Sequence, residues 1–259
     1  MKQVLTNLSR VWIVVISYQI ITILLIAFFD SEYFQTTGFL ISRTIILIYL
    51  IARIVIKSNI LNKYGTLSDS LVVYALLAFF YGETAQLNTY LFPKIDHILS
   101  LWDQLLFGFQ PSVLFSEKWD SALLSEIMFF GYFTFYLMPL TALLSIWRYR
   151  RSYFSKFSFL VLSSYFVYYL VFILIPAEGP QFYFSNPLSQ IDSQGPFATI
   201  VKLIQKIGEA PTAAFPSSHV GMMTIILLLL YKIHCNLFKI LMPFSILLLF
   251  STIYIKAHY

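Results

Sequence analysis

Seven apolar windows, near residues 11–29, 39–56, 70–91, 121–147, 157–176, 217–232 and 239–257, follow one another along the whole chain. Eighteen or more apolar residues suffice to cross about 30 Å of hydrocarbon as a helix, and lipid offers backbone groups no partners outside the helix itself. The chain is therefore expected to be all-α, a polytopic transmembrane bundle of about seven spans forming one integral membrane domain over 1–259. Composition agrees: 59% of the 259 residues are apolar and 11% charged, where a soluble domain carries roughly half and a quarter. The first window, preceded by Lys2 and Arg10, is too long for the core of a signal segment and lacks a small-residue cleavage site, so it reads as a retained span.

A net charge of +5 raises the question of nucleic acid, but the 17 basic residues are scattered between apolar runs and form no basic face. They report orientation instead. Lys2, Arg10, Lys57, Lys63, Arg148, Arg150, Arg151, Lys156, Lys232 and Lys239 fall on one side of the alternating spans. Lys94, Lys118, Lys202, Lys206 and Lys256 fall on the other, and Arg43 and Arg53 lie inside the second window. Positive charge is retained in the cytoplasm, so the N-terminus is expected there. The two long, proline-bearing connections, 92–120 and 177–216, then face the non-cytoplasmic side. A single cysteine, Cys235, excludes an intrachain disulfide and a cysteine-rich metal site.

The sharpest local signal is Ala214-Phe215-Pro216-Ser217-Ser218-His219, in which a proline and two hydroxyl residues open an apolar helix. Ser217 or Ser218 can cap it, and the free amides of a helix N-terminus form a ready anion site with a histidine beside it. A second histidine, His258, ends the seventh window. The sixth and seventh windows form a short-looped hairpin, so the start of one and the end of the other meet at one membrane face. Two imidazoles with a phosphate between them can divide the work of nucleophile and general acid. Pro176-Ala177-Glu178-Gly179-Pro180-Gln181, at the end of the fifth window, is the third element and reads alone as a helix stop.

In this order, Pro176 to Gln181, Pro216-Ser217-Ser218-His219, and Ser251 through His258-Tyr259 resemble the three motifs of the phosphatidic acid phosphatase type 2 superfamily, most closely its inositol phosphorylceramide synthase-like membrane branch. The similarity covers about 70–259, leaving 1–69 as two additional N-terminal spans. It takes in Ile95-Asp96, Asp103 to Pro111, and Gly131-Tyr132-Phe133 to Tyr136. The resemblance implies a lipid phosphatase or phosphotransferase acting on a phospholipid or polyprenyl phosphate at the non-cytoplasmic face. His258 would attack phosphorus, His219 would protonate the leaving alcohol, and Ser217, Ser218 and backbone amides would hold phosphate oxygens. It implies no metal and no cofactor.

The chain departs from the family pattern at several places. Gln181 stands where the first motif usually has a basic residue, and Thr252 stands where many members have arginine. Lys256 either compensates for them or snorkels at the interface. The family also places an aspartate four residues beyond the third-motif histidine, past Tyr259, so the resemblance implies a truncated sequence with little turnover. The rival reading is a non-catalytic member acting as a membrane scaffold. Of the remaining polar residues, Arg43 is expected to snorkel, Glu83 either lines the site or pairs with Arg43, Asp103 orients the outer loop, and His97 and His234 are structural.

Overall fold

The computed structural model describes residues 9–28, 36–55, 59–184, 191 and 195–259. Among the described residues there are eleven helices and no strand. They are α1 (Val11–Phe28), α2 (Thr36–Val55), α3 (Asn59–Leu91), α4 (Asp96–Phe107), α5 (Pro111–Lys118), α6 (Ala122–Tyr149), α7 (Arg151–Leu174), α8 (Pro180–Tyr183), α9 (Pro196–Gly208), α10 (Ser218–Ile233) and α11 (Cys235–Tyr254). Each of the seven apolar windows falls in a helix. By length and composition four segments qualify to cross a membrane: Lys63–Asn88, Ala122–Tyr149, Arg151–Leu174 and Cys235–Tyr254. Val11–Ala27 and Ser218–Ile233 are apolar but shorter, and α2 is diluted by its two arginines.

Those arginines are paired, which accounts for their presence in an apolar helix. Arg43 binds Glu83 of α3, whose carboxylate also accepts from Ser42 at 2.7 Å. Arg53 binds Asp69 of α3 at 2.9 Å, and Tyr49 donates to the same carboxylate. Burying either charge alone would be prohibitive, whereas the pairs fasten α2 to α3. Glu83 therefore serves this pairing, and Arg43 does not simply reach for the interface.

The centre of the molecule is built by α6, α7, α10 and α11, with α3 packed along α7 and α1 against both. Hydroxyls inside these helices return to the preceding turn, as Ser164 does to Leu160 and Ser251 to Leu247, which satisfies them without water. Large apolar side chains such as Leu137, Val167, Leu228 and Ile246 lie on the outside, the inverse of a water-soluble surface. Gly131 lets α6 and α11 approach closely: a Cβ there would fall on Ser251 Oγ and lie 2.6 Å from Leu247 Cγ.

The connections sort onto two ends. At one, Arg150 donates to the carbonyl of Ile233 and Arg151 to that of Lys63, and His234 caps α11 by accepting from Leu237 N. At the other end lie α4, α5, α8, α9, the start of α10 and the last residues of the chain. There α4 carries exposed Leu101, Trp102, Leu105 and Leu106. The amphipathic helix α9 exposes Ile200, Leu203 and Ile207, and its first amides, at Phe197 and Ala198, are bound by the Glu126 carboxylate of α6.

Candidate active site

Ser217 begins the site. Its extended backbone and its hydroxyl, which accepts from Val220 N at 3.4 Å, cap α10, leaving the Ser218 and His219 amides without intrahelical partners at the positive end of the helix. His219 occupies the first turn. Its ring stacks on Tyr132 of α6 at 4.7 Å and leans on Phe135 at 4.2 Å, so two aromatic residues one turn apart fix its direction.

His258 approaches from the other arm of the hairpin. After α11 ends at Tyr254, itself held by Ser125 of α6 at 2.7 Å, the chain turns at Lys256, whose φ of 64° is left-handed. That turn places the His258 Nε2 atom 3.0 Å from His219 Nδ1. The other ring nitrogen of His258, Nδ1, lies 2.7 Å from the carbonyl of Ala214. A carbonyl only accepts, so Nδ1 carries the proton. In the neutral ring Nε2 then holds the lone pair, and His219 donates to it through Nδ1–H. His258 is 4% exposed, and burial pushes its pKa down to about 4, against the opposing effect of the Ala214 hydrogen bond. The residue is a neutral imidazole with its Nε2 lone pair turned into the site.

The first motif joins these two loops. Ala177 accepts from Ala214 N, and Gln181 N donates to the Lys256 carbonyl at 3.0 Å. Between them Gly179 adopts a φ of 92°, where a Cβ would lie 2.9 Å from Ala214 Cβ and 3.0 Å from the Ala257 carbonyl. Only glycine fits that conformation in that space. The whole junction is anchored by Asp96 at the start of α4. Its carboxylate accepts from the amides of Glu178 and Gly179 and, at 2.9 Å, from the Tyr259 hydroxyl.

A cavity of about 600 Å³ opens beside the histidine pair. Of the residues singled out in the sequence, His219, His258, Ser218 and Gln181 line it, as does Glu178 of the first motif. Ser217 stands behind the wall as the helix cap. Lys256 is also outside the wall: its side chain is 1% exposed, and burial pulls its pKa below the ordinary lysine range while Glu117 opposes that shift. Asp103 does not line the cavity either, and His97 is exposed on α4. Tyrosine and phenylalanine side chains from α3, α6 and α7 make up much of the remaining wall, with Glu209 at the end of α9 as a second carboxylate. Gln181 and Gln205 face Glu209, whose pKa burial raises above the usual carboxylate range.

Two features of this arrangement gave no signal in the sequence. Glu209 sits in an ordinary Gly-Glu-Ala-Pro connection, and Asp96 drew notice only as part of a similar segment. Among the described residues no group of three or more histidine, cysteine or acidic side chains could hold a metal.

The family model of the PAP2 superfamily matches residues 97–259, which takes in all three motif segments. The chain belongs to the PAP2 superfamily. No curated protein and no solved structure matches it. As a PAP2 protein it is a membrane-type helical chain of a family of phosphatases, and the two histidines that its hairpin brings together stand in the second and third of its motif segments.

Proposed function

We propose that the protein is an integral membrane lipid phosphatase or phosphotransferase, of the inositolphosphotransferase-like kind, that works through a phosphohistidine on His258 at the non-cytoplasmic face. The observation that carries this reading is the 3.0 Å approach of His258 Nε2 to His219 Nδ1 at the edge of a greasy cavity. On this reading seven helices span the bilayer, and the motif end, which bears fewer basic residues, faces away from the cytoplasm.

The substrate phosphoryl group displaces the His219–His258 contact. The Nε2 lone pair of His258 attacks phosphorus, a P–N bond forms as the P–O ester bond breaks, and the leaving alkoxide takes a proton from His219, which enters this step as the doubly protonated imidazolium paired with the phosphate anion and leaves it neutral. The Ala214 carbonyl keeps hold of Nδ1–H while the ring becomes cationic. Water or an alcohol then attacks phosphorus and gives its proton to His219, and the P–N bond breaks to restore His258. Ser218, Gln181 and the first amides of α10, aligned by the Ser217 cap, hold the phosphoryl oxygens as charge develops. Water as acceptor gives hydrolysis, and an alcohol gives transfer.

The test is to incubate purified protein in detergent with radiolabelled phosphatidic acid and with a polyprenyl diphosphate, following phosphate release and acid-labile, base-stable label on the protein. The reading requires label that His258→Ala abolishes. Turnover that survives His258→Ala would overturn it. A non-catalytic scaffold is the second reading, and the observation favouring it is that, among the described residues, no lysine or arginine lines the cavity.

A further inference from the structure

A phosphate ester buried in a wall without cations is costly unless some other positive charge accompanies it. Among the described residues the cavity lining holds two carboxylates and no lysine or arginine. Glu178 is neutralised by Lys94. Glu209 has no basic partner among the described residues, and Lys256, the nearest candidate in sequence to the reactive histidine, does not line the cavity. Tyr81 and Tyr136 line the same cavity as Glu209. A carboxylate backed by tyrosine rings is the surrounding that an organic ammonium ion requires, through charge pairing and cation–π attraction.

The complementary donors lie nearby. Ser218 lines the cavity beside the histidine pair, and with the N-terminal amides of α10 it offers donors to phosphate oxygens. The wall thus has a donor-rich side and an acceptor-and-aromatic side.

We propose that the cavity selects a zwitterionic phospholipid, in which the headgroup brings its own ammonium charge to Glu209, Tyr81 and Tyr136 while its phosphodiester reaches the histidine pair. This rests on the phosphotransfer reading above for the position of the phosphate. It also explains how a site can handle a phosphodiester with no cationic side chain: the substrate supplies the neutralising charge. It turns the carboxylate that would repel an anionic lipid into a selectivity element.

The experiment is equilibrium displacement of radiolabelled hexadecylphosphocholine from the purified full chain in one detergent. The competitors share one alkyl chain: hexadecylphosphocholine, hexadecylphosphoethanolamine and hexadecylphosphoglycerol. Both ammonium probes should compete at concentrations on the order of tenfold lower than the phosphoglycerol probe. Equal potency of the two assigns the preference mainly to Glu209, and an advantage for the quaternary one adds the tyrosines. Glu209→Gln should erase the preference, and Tyr81→Leu, which changes no charge, should reduce it. Phosphoglycerol binding as tight as, or tighter than, the ammonium probes would overturn the proposal, as would a preference that survives Glu209→Gln. If either variant fails to fold, the wild-type comparison alone decides. Turnover of these probes, with and without His258→Ala, is measured in parallel. Preference without histidine-dependent turnover would sink the catalytic reading and spare the ammonium subsite, and histidine-dependent turnover without preference would do the reverse.

Discussion

His258 donates its Nδ1–H to the carbonyl of Ala214 across 2.7 Å, so a backbone oxygen of the second motif sets the tautomer of the third-motif histidine. In many sites a carboxylate performs this task. A carbonyl orients the ring equally well but adds less negative charge, which leaves the burial effect dominant and the ring neutral. Solid-state nitrogen spectra of histidine-labelled protein near pH 7 should show a neutral ring protonated at Nδ1 that disappears in His258→Asn. A ring protonated at Nε2 would reverse the proposed direction of attack.

The two histidines should fail differently when removed. His258→Ala should abolish the phosphoenzyme, because it removes the Nε2 lone pair that is turned into the site. His219→Ala should slow an alkyl ester by on the order of 10²–10⁴-fold, while an aryl ester with an acidic leaving group, which needs no protonation, loses far less. Equal losses on both esters, measured as kcat/KM, would contradict the division of roles.

Acid should loosen the fold through His258. Its folded value of about 4 lies below that of an exposed histidine, near 6.5, so on acidification the unfolded chain takes up the proton first. The stability associated with burying the neutral ring is complete above about pH 6.5 and is lost as the pH falls toward about 4, about 3 kcal/mol at full extent. Melting temperature in detergent should fall across that window in wild type and less steeply in His258→Gln. Identical slopes would mean that the ring is not buried neutral.

The junction of the three motifs should be intolerant of small changes. Gly179→Ala introduces a Cβ at a left-handed φ against Ala214 and Ala257, and should cost about 1–3 kcal/mol with a larger loss of activity than of stability. Asp96→Ala strands two amides and the Tyr259 hydroxyl and should cost a similar amount, whereas Tyr259→Phe removes one neighbour only, about 1 kcal/mol. Thermal melts and turnover of the same preparations separate the two effects. Wild-type behaviour of Gly179→Ala would show that the three loops are not mutually fixed.

Orientation is open to a direct test, because the single native thiol, Cys235, is exposed at the arginine-rich end. In intact cells it should resist an impermeant thiol reagent until the membrane is permeabilised. Lys118→Cys in a Cys235→Ser background should react from outside at once. The opposite pattern would invert the proposed topology.

The helices and the meeting of His219 with His258 were legible because both follow from periodic or covalent facts: apolar runs must be helices in lipid, and a short hairpin returns its end to its beginning. The pairing of Glu83 with Arg43 was one of two open readings, and contact between α2 and α3 resolves it. Lys256 could not be placed from sequence, since its direction depends on a single left-handed residue after α11. Glu209 was silent for a different reason. A lone acid at a helix end carries no pattern, and its meaning arises only when α3, α6 and α7 supply the tyrosines around it.

Helix α9 is tied to α6 at its first turn by the Glu126 carboxylate, while its far end carries Gln205, Gly208 and Glu209 in the cavity wall. Its 13 residues make a rod about 20 Å long, so a tilt of about 10° about the pinned end moves that wall by about 3 Å. Ile200, Leu203 and Ile207 are turned outward along that rod. A load on this apolar face would therefore be carried to the cavity wall as a change of aperture, which ties the width of the site to what α9 rests against.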